Sequence, residues 1–307
     1  MPLTRRLFLA AALATAGCAY TGPDRTVRVA AGEPGGFYVE FARLLAAELA
    51  DAYPSTRASV VETLGSVMNI AKVGAGEADL GLVLVDAMTA AQDGAPPFPR
   101  ATRLPALGRV YENYMQLVVP ARSRYRTLAD LAGRRVSLGA TGSGAALFGT
   151  RMLDAAGVSV EVDHHPLAEA AEALRTGGVE ALLWSGGLPT PALTDLDDAI
   201  GIRLLDLEVT ELRRRHGAVY DRVTIPSGTY RDAGEVTTVG VPNLLVASPA
   251  VPADVVEATV RVLVQRAGDL VPRQALGTQY LDVRSLIDTA PVPLHPRAAE
   301  AYRELRG

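Results

Sequence analysis

Cysteine is almost absent from this sequence. Cys18 is the only one among 307 residues, so no disulfide can form within the chain and the fold must depend on its apolar cores. Long apolar runs are also absent after the N-terminal segment, since no later stretch holds the 18 or more uninterrupted apolar residues of a membrane-spanning helix. We therefore expect a chain that does not itself carry a solute across a bilayer.

The chain has no excess of basic residues and only four histidines, and this excludes two classes of function. The formal net charge is −4, and loss of the two cations Arg5 and Arg6 with an export signal would change it to −6. Nucleic-acid binding instead needs a basic face that displaces counterions. The four histidines are the adjacent pair His164 and His165 and the isolated His216 and His295. Neighbouring residues on a strand point to opposite faces, so we expect neither a metal site nor a cofactor.

Catalytic motifs are missing as well. Ser143 lacks the glycine two positions earlier that a nucleophile elbow requires, because Thr141 stands there. Asp79 and Glu180 precede two apolar strands at equivalent places, which indicates that they fix turns and do not act as a paired acid and base. We therefore predict no enzymatic activity. A secreted enzyme remains an alternative, for which a base and a nucleophile would have to meet in the fold.

The N-terminus carries an export signal. Residues 4–9 (TRRLFL) resemble a twin-arginine signal, and the apolar run that follows is too short to span a bilayer. Residues 16–18 (AGC) resemble the end of a lipobox, although Thr15 departs from its usual leucine or valine. We predict that residues 1–17 are removed, that Cys18 is lipidated and that residues 18–26 form a tether. Ordinary cleavage at the small residues before Cys18 is the alternative, and it would leave a soluble secreted or periplasmic protein.

One arrangement of elements occurs twice in the remaining chain. A strand (27–29) enters a glycine loop (32–36), and a helix, a strand (58–61), a second helix and an apolar strand (80–85) follow. The order recurs as a strand (136–138), a glycine loop (139–144), a helix, a strand (158–162), a helix and a strand (181–184). Gly32 aligns with Gly139, and Gly35 aligns with Gly142. The sequence therefore predicts an α/β fold of two lobes, each with a glycine loop that opens a helix.

Two chain crossings divide the predicted lobes. We assign residues 27–112 and 238–307 to lobe 1 and residues 113–237 to lobe 2. A strand at 114–119 leaves the first lobe and another at 238–248 returns to it. Because two crossings make a hinge, we expect the lobes to close around a ligand.

The glycine loops predict an anion-binding cleft. Free N–H groups and the positive end of the dipole at a helix N-terminus attract carboxylates and phosphates. In lobe 2 the candidate contacts are Thr141, Gly142, Ser143 and Gly144, and Ser143 could equally be only the cap of its helix. In lobe 1 the candidates are Gly36, Tyr38, Ser66 and Asn69, and Tyr38 could equally pack in the core.

The second loop imitates a dinucleotide-binding fingerprint without completing it. Gly142-Ser143-Gly144 follows a strand, and Asp163 ends another strand about 20 residues later. The third glycine should fall at position 147, where Leu147 would obstruct the close approach of helix and strand. We therefore favour a simpler anion site.

Several motifs, in sequence order, resemble one family. They are residues 63–70 (TLGSVMNI), 76–81 (GEADLG), 127–144 (TLADLAGRRVSLGATGSG), 188–192 (LPTPA), 225–230 (IPSGTY) and 293–296 (PLHP). Together they are similar to the TAXI family of substrate receptors for TRAP transporters. The resemblance implies a type II periplasmic-binding-protein fold with two lobes and a hinge. It also implies a ligand such as glutamate, glutamine or a related dicarboxylate, and a separate TRAP-type membrane permease.

The resemblance further implies which residues bind the ligand. The family's two glycine loops, its serine and asparagine, its acidic position and its Gly-Pro-Thr turn map onto Gly35, Gly36, Phe37, Tyr38, Ser66, Asn69, Asp86, Thr141, Gly142, Ser143, Gly144, Gly187, Pro189 and Thr190. We expect Asp86 to pair with an amino group if the ligand is an amino acid. This chain departs from the family at Glu33, Pro34, Val85 and Ala145, and these departures change the polarity expected for the cleft.

These observations predict a monomeric, exported receptor, held by its lipid anchor at the extracytoplasmic face of the cell membrane. We expect it to bind a small carboxylate ligand and deliver it to a TRAP-type permease. The alternative is a sensor subunit that binds the same ligand and passes a signal to a receptor without transport. Both functions need the same cleft, so the residues of the cleft do not distinguish them.

Overall fold

A computed structural model describes residues 22–231, 233–272 and 281–306 of this chain. The predicted signal peptide and the predicted lipidation site at Cys18 lie outside the described residues. The strands are β1 (Arg25–Ala30), β2 (Thr56–Val61), β3 (Leu80–Leu84), β4 (Ala106–Pro120), β5 (Arg135–Ser137), β6 (Glu161–Asp163), β7 (Ala181–Gly186), β8 (Ile202–Leu205), β9 (Asp221–Ile225) and β10 (Val236–Ala247).

Helices alternate with these strands. They are α1 (Phe37–Ala52), α2 (Ser66–Gly74), α3 (Val85–Asp93), α4 (Gly144–Ala156), α5 (Leu167–Thr176), α6 (Pro191–Ile200), α7 (Thr210–His216), α8 (Ala253–Gln265), α9 (Val283–Leu286) and α10 (Pro296–Arg306). Within the described ranges, none of these helices is both long enough and apolar enough to cross a membrane.

One sheet connects both lobes. Its strand order is β2-β1-β3-β10-β4-β7-β5-β6, with β8 paired to β4 and β9 paired to β10. β1 is parallel to β2 and β3, and β5 is parallel to β6 and β7. β10 is antiparallel to β3 in the first lobe, as β4 is antiparallel to β7 in the second. Each lobe therefore contains three parallel strands and one strand antiparallel to them, and β8 and β9 are additional strands of lobe 2. The shared part is the duplicated α/β arrangement that the sequence predicts.

The strands β4 and β10 are shared between the lobes. β4 pairs with β10 over residues 106–114 and with β7 over residues 114–118. β10 pairs with β9 near its start and with β3 near its end. The predicted lobe boundaries, after residues 112 and 237, both fall inside these strands. Because each strand is continuous across a boundary, any hinge motion must bend β4 and β10.

Three apolar clusters hold these elements together. One packs α1, α8 and α10 against the strands of lobe 1, and a second packs α5 and α6 against the strands of lobe 2. The third includes Met88 of α3 and Phe148 of α4, which belong to different lobes. Burial of such side chains contributes about 1.5–3 kcal/mol each, so this third cluster stabilises the contact between the lobes as well as the lobes themselves.

Some predicted element bounds are wrong. The predicted strand over residues 158–162 is replaced by the short strand β6. The reason is that the Val158 N–H donates to the Leu153 carbonyl at 3.1 Å, which keeps Val158 in the C-terminal turn of α4. The apolar segment that begins at Leu80 also ends one residue early, because Val85 begins α3.

The predicted turn-fixing roles of Asp79 and Glu180 are confirmed. The Asp79 carboxylate accepts the backbone N–H of Arg28 at 2.8 Å, and the Glu180 carboxylate accepts that of Arg135 at 3.0 Å. In both lobes the carboxylate thus joins the first strand to the turn before the third strand. The duplication therefore extends from the order of elements to individual hydrogen bonds.

Candidate functional site

A small cavity of about 50 Å³ lies between the lobes, beside the loops that follow β1 and β5. Lobe 1 and β4 contribute Gly32, Glu33, Gly36, Phe37, Tyr38, Leu64, Gly65, Ser66, Leu84 and Asn113. Lobe 2 contributes Gly139, Ser143, Gly144, Ala145, Trp184 and Ser185. A second pocket shares Gly36, Phe37 and Trp184 and adds Gly35, Glu40, Gly187, Pro189, Thr190 and Pro191. Ten of the predicted contact residues therefore lie around one cleft: Gly35, Gly36, Phe37, Tyr38, Ser66, Ser143, Gly144, Gly187, Pro189 and Thr190.

Three helices begin at the wall of the cavity. The residues before their first turns are Gly36 for α1, Gly65 for α2 and Ser143 for α4. The first N–H groups of a helix have no partner within the helix, and neither Gly36 nor Gly65 supplies a side-chain cap. Backbone donors and the positive ends of three helix dipoles therefore face one space.

Ser143 is the cap of its helix. Its Oγ accepts the N–H of Ala146 at 3.0 Å, which confirms the capping role considered from the sequence. The same residue lines the cavity. The hydroxyl therefore accepts one N–H group of the first turn of α4. The N–H groups of Gly144 and Ala145 have no side-chain cap.

The aligned glycines Gly35 and Gly142 have matching backbone conformations. Their φ angles are +78° and +80°, in the left-handed region that residues with a Cβ rarely adopt. Each glycine lies two residues before the first residue of its helix. The two loops therefore turn into α1 and α4 in the same way, as the alignment of the sequence predicts.

The lobes approach each other closely at Gly144 and Gly65. A Cβ atom on Gly144 would overlap Leu84 Cδ1 and lie 2.9 Å from Ser66 Oγ, and one on Gly65 would lie 3.3 Å from Ser143 Cα. Because these residues lack a Cβ, the two helix N-termini can face each other across a narrow gap. The structure is therefore a closed arrangement of the lobes.

Tyr38 packs against the core, as one interpretation of the sequence predicts, and its contact with a ligand stays a prediction. Its ring is 6.1 Å from that of Tyr111 in an edge arrangement, and it also lines the cavity. Its hydroxyl donates to Asn243 Oδ1 at 2.5 Å and lies 3.2 Å from Ser66 Oγ. Burial raises the pKa of Tyr38 well above its ordinary value, so the group is a neutral hydroxyl at physiological pH.

Trp184 forms part of the wall from lobe 2. It is the only tryptophan in the chain, and its Nε1 donates to Thr190 Oγ1 at 3.0 Å. Thr190 Oγ1 in turn donates to the Gly187 carbonyl at 2.9 Å. The predicted Gly-Pro-Thr turn therefore orients the indole ring, in addition to lining the second pocket.

Asn113 is a lining residue that the sequence analysis did not identify. Its Nδ2 donates to Ser185 Oγ at 2.9 Å, while its Oδ1 is buried without a hydrogen-bond partner. The side chain is only 4% exposed. Ser185 is the one hydroxyl residue in the apolar strand β7, but β4 holds several polar residues, so the sequence alone does not single out Asn113.

Asn69 does not line either pocket. Its Oδ1 accepts from Thr63 Oγ1 at 2.6 Å, and its Nδ2 donates to the carbonyls of Leu82, at 2.7 Å, and Ala31. The amide thus connects β3 with the segments that follow β1 and β2. Its predicted contact with the ligand stays a prediction.

Asp86 also lies away from both pockets. It is completely buried, and its carboxylate accepts from the Tyr220 hydroxyl at 3.1 Å and lies 3.8 Å from Arg151 Nη1. Burial raises the pKa of Asp86, and the nearby Arg151 opposes that shift. Since α3 belongs to lobe 1 and the two partners belong to lobe 2, the group connects the lobes. Its predicted pairing with a ligand amino group is untested.

Thr141 and Gly142 form the outer part of the second glycine loop. Thr141 is exposed, and neither residue lines the two pockets. The Gly142 carbonyl accepts the N–H of Met68 from α2 at 3.3 Å. In the closed arrangement this loop therefore contacts the opposite lobe, and its predicted contacts with a ligand remain untested.

Glu33 and Ala145 are the two departures from the TAXI pattern that line the cavity, and Glu33 is the charged one. Its Oε2 accepts the N–H of Leu167, the first residue of α5 in the other lobe, at 2.7 Å. Burial raises the pKa of Glu33, the Leu167 N–H lowers it, and the neighbouring Glu169 raises it. The Glu33 side chain of lobe 1 thus caps the N-terminus of α5 in lobe 2.

Comparison with known proteins shows the family. Residues 29–305 match the NMT1-like family. This chain belongs to the NMT1-like family. The structure of the periplasmic binding protein BugD is similar over 92% of this chain and 97% of its own, with 15% identity and a TM-score of 0.57.

Two further structures are similar. One, described as a periplasmic transporter, covers 92% of this chain and 93% of its own at 15% identity and a TM-score of 0.56. The aliphatic sulphonate binding protein SsuA from Escherichia coli covers 92% and 79% at 19% identity and a TM-score of 0.46. The predicted two-lobed periplasmic-binding-protein fold is confirmed. The similar structures are named as periplasmic binding or transport proteins, and the narrower TAXI assignment stays a prediction.

Proposed function

We propose that this NMT1-like protein is an extracytoplasmic solute receptor that binds a small carboxylate-bearing ligand in the cleft between its lobes. The candidates are glutamate-like, glutamine-like and dicarboxylate solutes. The observation that carries this proposal is the meeting of the N-termini of α1, α2 and α4 at one cavity. Three such termini supply several backbone donors and a positive potential, which a carboxylate group satisfies without an arginine or lysine.

The ligand would contact both lobes. Gly36, Phe37, Tyr38 and Ser66 belong to one wall, and Ser143 and Gly144 belong to the other. A ligand held between these walls favours the closed arrangement over an open one, because only the closed form supplies both sets of contacts. Gly187 and Thr190 would act at the edge of the cleft, next to Trp184.

Delivery to a TRAP-type permease is the second part of the proposal. It is supported by the chain-long motif resemblance to TAXI receptors and by membership of the NMT1-like family. Co-purification of the exported protein with a membrane permease would support transport. Recovery of a signalling receptor instead would favour the sensor alternative.

Export and anchoring are also proposed. The motif around Arg5 and Arg6 predicts export, and Cys18 predicts a lipid anchor at the cell surface. The intact mass of the exported protein distinguishes an acylated chain that begins at Cys18 from a chain without a lipid. The Cys18→Ser variant should leave the membrane fraction while it retains ligand binding.

A ligand screen tests the binding function. Amino acids, dicarboxylates and neutral sugars are added to the purified protein, and thermal unfolding and Trp184 fluorescence are recorded. A ligand present at a hundredfold excess over its Kd stabilises the folded protein by about 2.7 kcal/mol. Because Trp184 is the only tryptophan in the chain, the Trp184→Phe variant checks that the fluorescence response comes from the wall of the cleft, and its thermal shift is measured beside that of the wild-type protein. If neutral sugars raise the unfolding temperature and no carboxylate does, the proposal is wrong.

A further inference from the structure

The charge of the cleft differs from that expected for a dicarboxylate site. Among the described residues that line the two pockets, no lysine, arginine or histidine is present. The charged side chains are the acidic residues Glu33 and Glu40, and Glu40 forms an ion pair with Arg43 at 2.7 Å. The helix N-termini can hold one carboxylate, but no side-chain cation lines the cleft to hold a second one.

Glu33 places its carboxylate at the N-terminus of α5, where a second carboxylate of a ligand could otherwise bind. The helix α5 begins after Pro166 and has no side-chain cap from its own segment. The Glu33 carboxylate instead accepts its first N–H, that of Leu167, from across the cleft. No residue of α5 lines the cavity. One helix N-terminus of lobe 2 is therefore already supplied with a negative group by the protein itself.

The remaining acceptors of the cavity favour a ligand that donates hydrogen bonds. A carboxylate accepts up to about four hydrogen bonds, and Leu167 uses one of those of Glu33. Asn113 Oδ1, which is buried and has no partner, lies on the same cavity wall as Ser185. A buried acceptor that stays unpaired is costly, and an ammonium or amide group of a ligand would satisfy it.

We propose that Glu33 determines the charge of the ligand: it excludes solutes with a second negative group and pairs with a cationic one. The bound solute is then a zwitterion, with its carboxylate at the N-termini of α1, α2 and α4 and its ammonium group towards Glu33 and Asn113. This inference rests on the proposed function, and it narrows that function from carboxylates in general to zwitterions without a second acidic group.

A set of five-carbon ligands tests the inference. Glutamine, glutamate and glutarate have similar lengths but differ in their charged groups. Their affinities are measured at pH 8 by calorimetry and Trp184 fluorescence for the wild-type protein and Glu33→Gln, whose amide oxygen can still accept from Leu167. We expect the wild-type protein to prefer glutamine to glutarate, and Glu33→Gln to reduce that preference about tenfold or more, because like charges in one cleft repel strongly.

One control variant and one further test variant make the result specific to Glu33. Glu62→Gln removes the same charge three residues before Gly65, outside both pockets, and should leave the preference unchanged. Glu33→Ala is the second test variant if Glu33→Gln is poorly folded by circular dichroism. A preference that Glu33→Gln does not change, or that Glu62→Gln changes equally, overturns the role of Glu33.

The wild-type result separates this inference from the proposed function. If the wild-type protein binds glutarate more tightly than glutamine, the inference is wrong while the carboxylate receptor stands. If it binds none of the three ligands, the inference is also overturned. Only a negative result for every carboxylate, together with binding of a neutral sugar, overturns the proposed function as well.

Discussion

The first helices of the two lobes begin at aligned positions, but one brings large aromatic side chains to the cleft and the other brings small residues. α1 begins with Phe37 and Tyr38, whereas α4 begins with Gly144 and Ala145. Large side chains of lobe 1 and small ones of lobe 2 thus line the same cavity. The duplicated backbone fixes where the donors lie, and the differences between the lobes determine the shape of the space between them.

The second helices differ in a complementary way. α2 begins at Gly65 and Ser66 on the wall of the cavity, whereas α5 begins after Pro166 and is covered by Glu33. One N-terminus is therefore available to a solute and the other is not. The cleft is asymmetric although the fold around it is nearly symmetric.

The largest effect should come from adding a side chain where lobe 2 has none. Gly144→Ala places a methyl group against Leu84 and Ser66 of the opposite lobe, and overpacking of this kind costs about 1–3 kcal/mol. We expect the affinity for the carboxylate found in the screen to fall about tenfold to hundredfold, as measured by Trp184 fluorescence. Gly178→Ala, whose methyl group would meet Ala173 at an ordinary distance, is the matched control. Wild-type affinity in Gly144→Ala would show that the lobes do not need to close this far.

A smaller effect should distinguish the two turn carboxylates. Asp79 accepts from the Arg28 backbone and also forms ion pairs with Arg25 and Arg28, whereas Glu180 accepts from the Arg135 backbone. We expect Asp79→Ala to lower the free energy of unfolding by about 2–3 kcal/mol and Glu180→Ala by about 1 kcal/mol. Urea unfolding of both variants tests this order. Equal losses would mean that the ion pairs in lobe 1 add nothing to the shared hydrogen bond.

The smallest effect concerns pH and the contact between the lobes. Burial raises the pKa of Asp86, so the folded protein keeps this proton at pH values where the unfolded chain has lost it. The stability from this group is therefore complete below the unfolded pKa of about 3.9 and is lost as the pH rises through the folded pKa. The unfolding free energy of the wild-type protein minus that of Asp86→Asn should decrease between pH 4 and pH 7. The change is about 1.4 kcal/mol for each unit of pKa shift, and urea unfolding at a series of pH values measures it. A difference that increases with pH would contradict this interpretation.

The sequence predicts the backbone of the cleft well because that backbone depends on local signals. The spacing of Gly35 and Gly142 before their helices is visible in the sequence, and both have the left-handed conformation that only glycine adopts easily. Asp79 and Glu180 are equally local signals, since each stands directly before a strand. The order of strands and helices follows from such patterns.

The side chains of the cleft are harder to predict because their partners are distant in the chain. Glu33 meets Leu167 across 134 residues, and Asp86 meets Tyr220 across the same separation. The TAXI resemblance maps its acidic position onto Asp86, yet the structure surrounds this residue with Arg151 and Tyr220 away from the pockets. No local pattern indicates which acidic residue faces the cavity, because that depends on how the two lobes close.

The path of β10 has a consequence for how the chain folds. This strand lies between β3 and β4 in the sheet, yet it is the last strand in chain order within the described residues. With the predicted boundaries, lobe 2 is an uninterrupted segment and can form as soon as it is synthesised, whereas lobe 1 must wait for β10 before its sheet is continuous. The part of the chain that is synthesised first is therefore among the last to be completed.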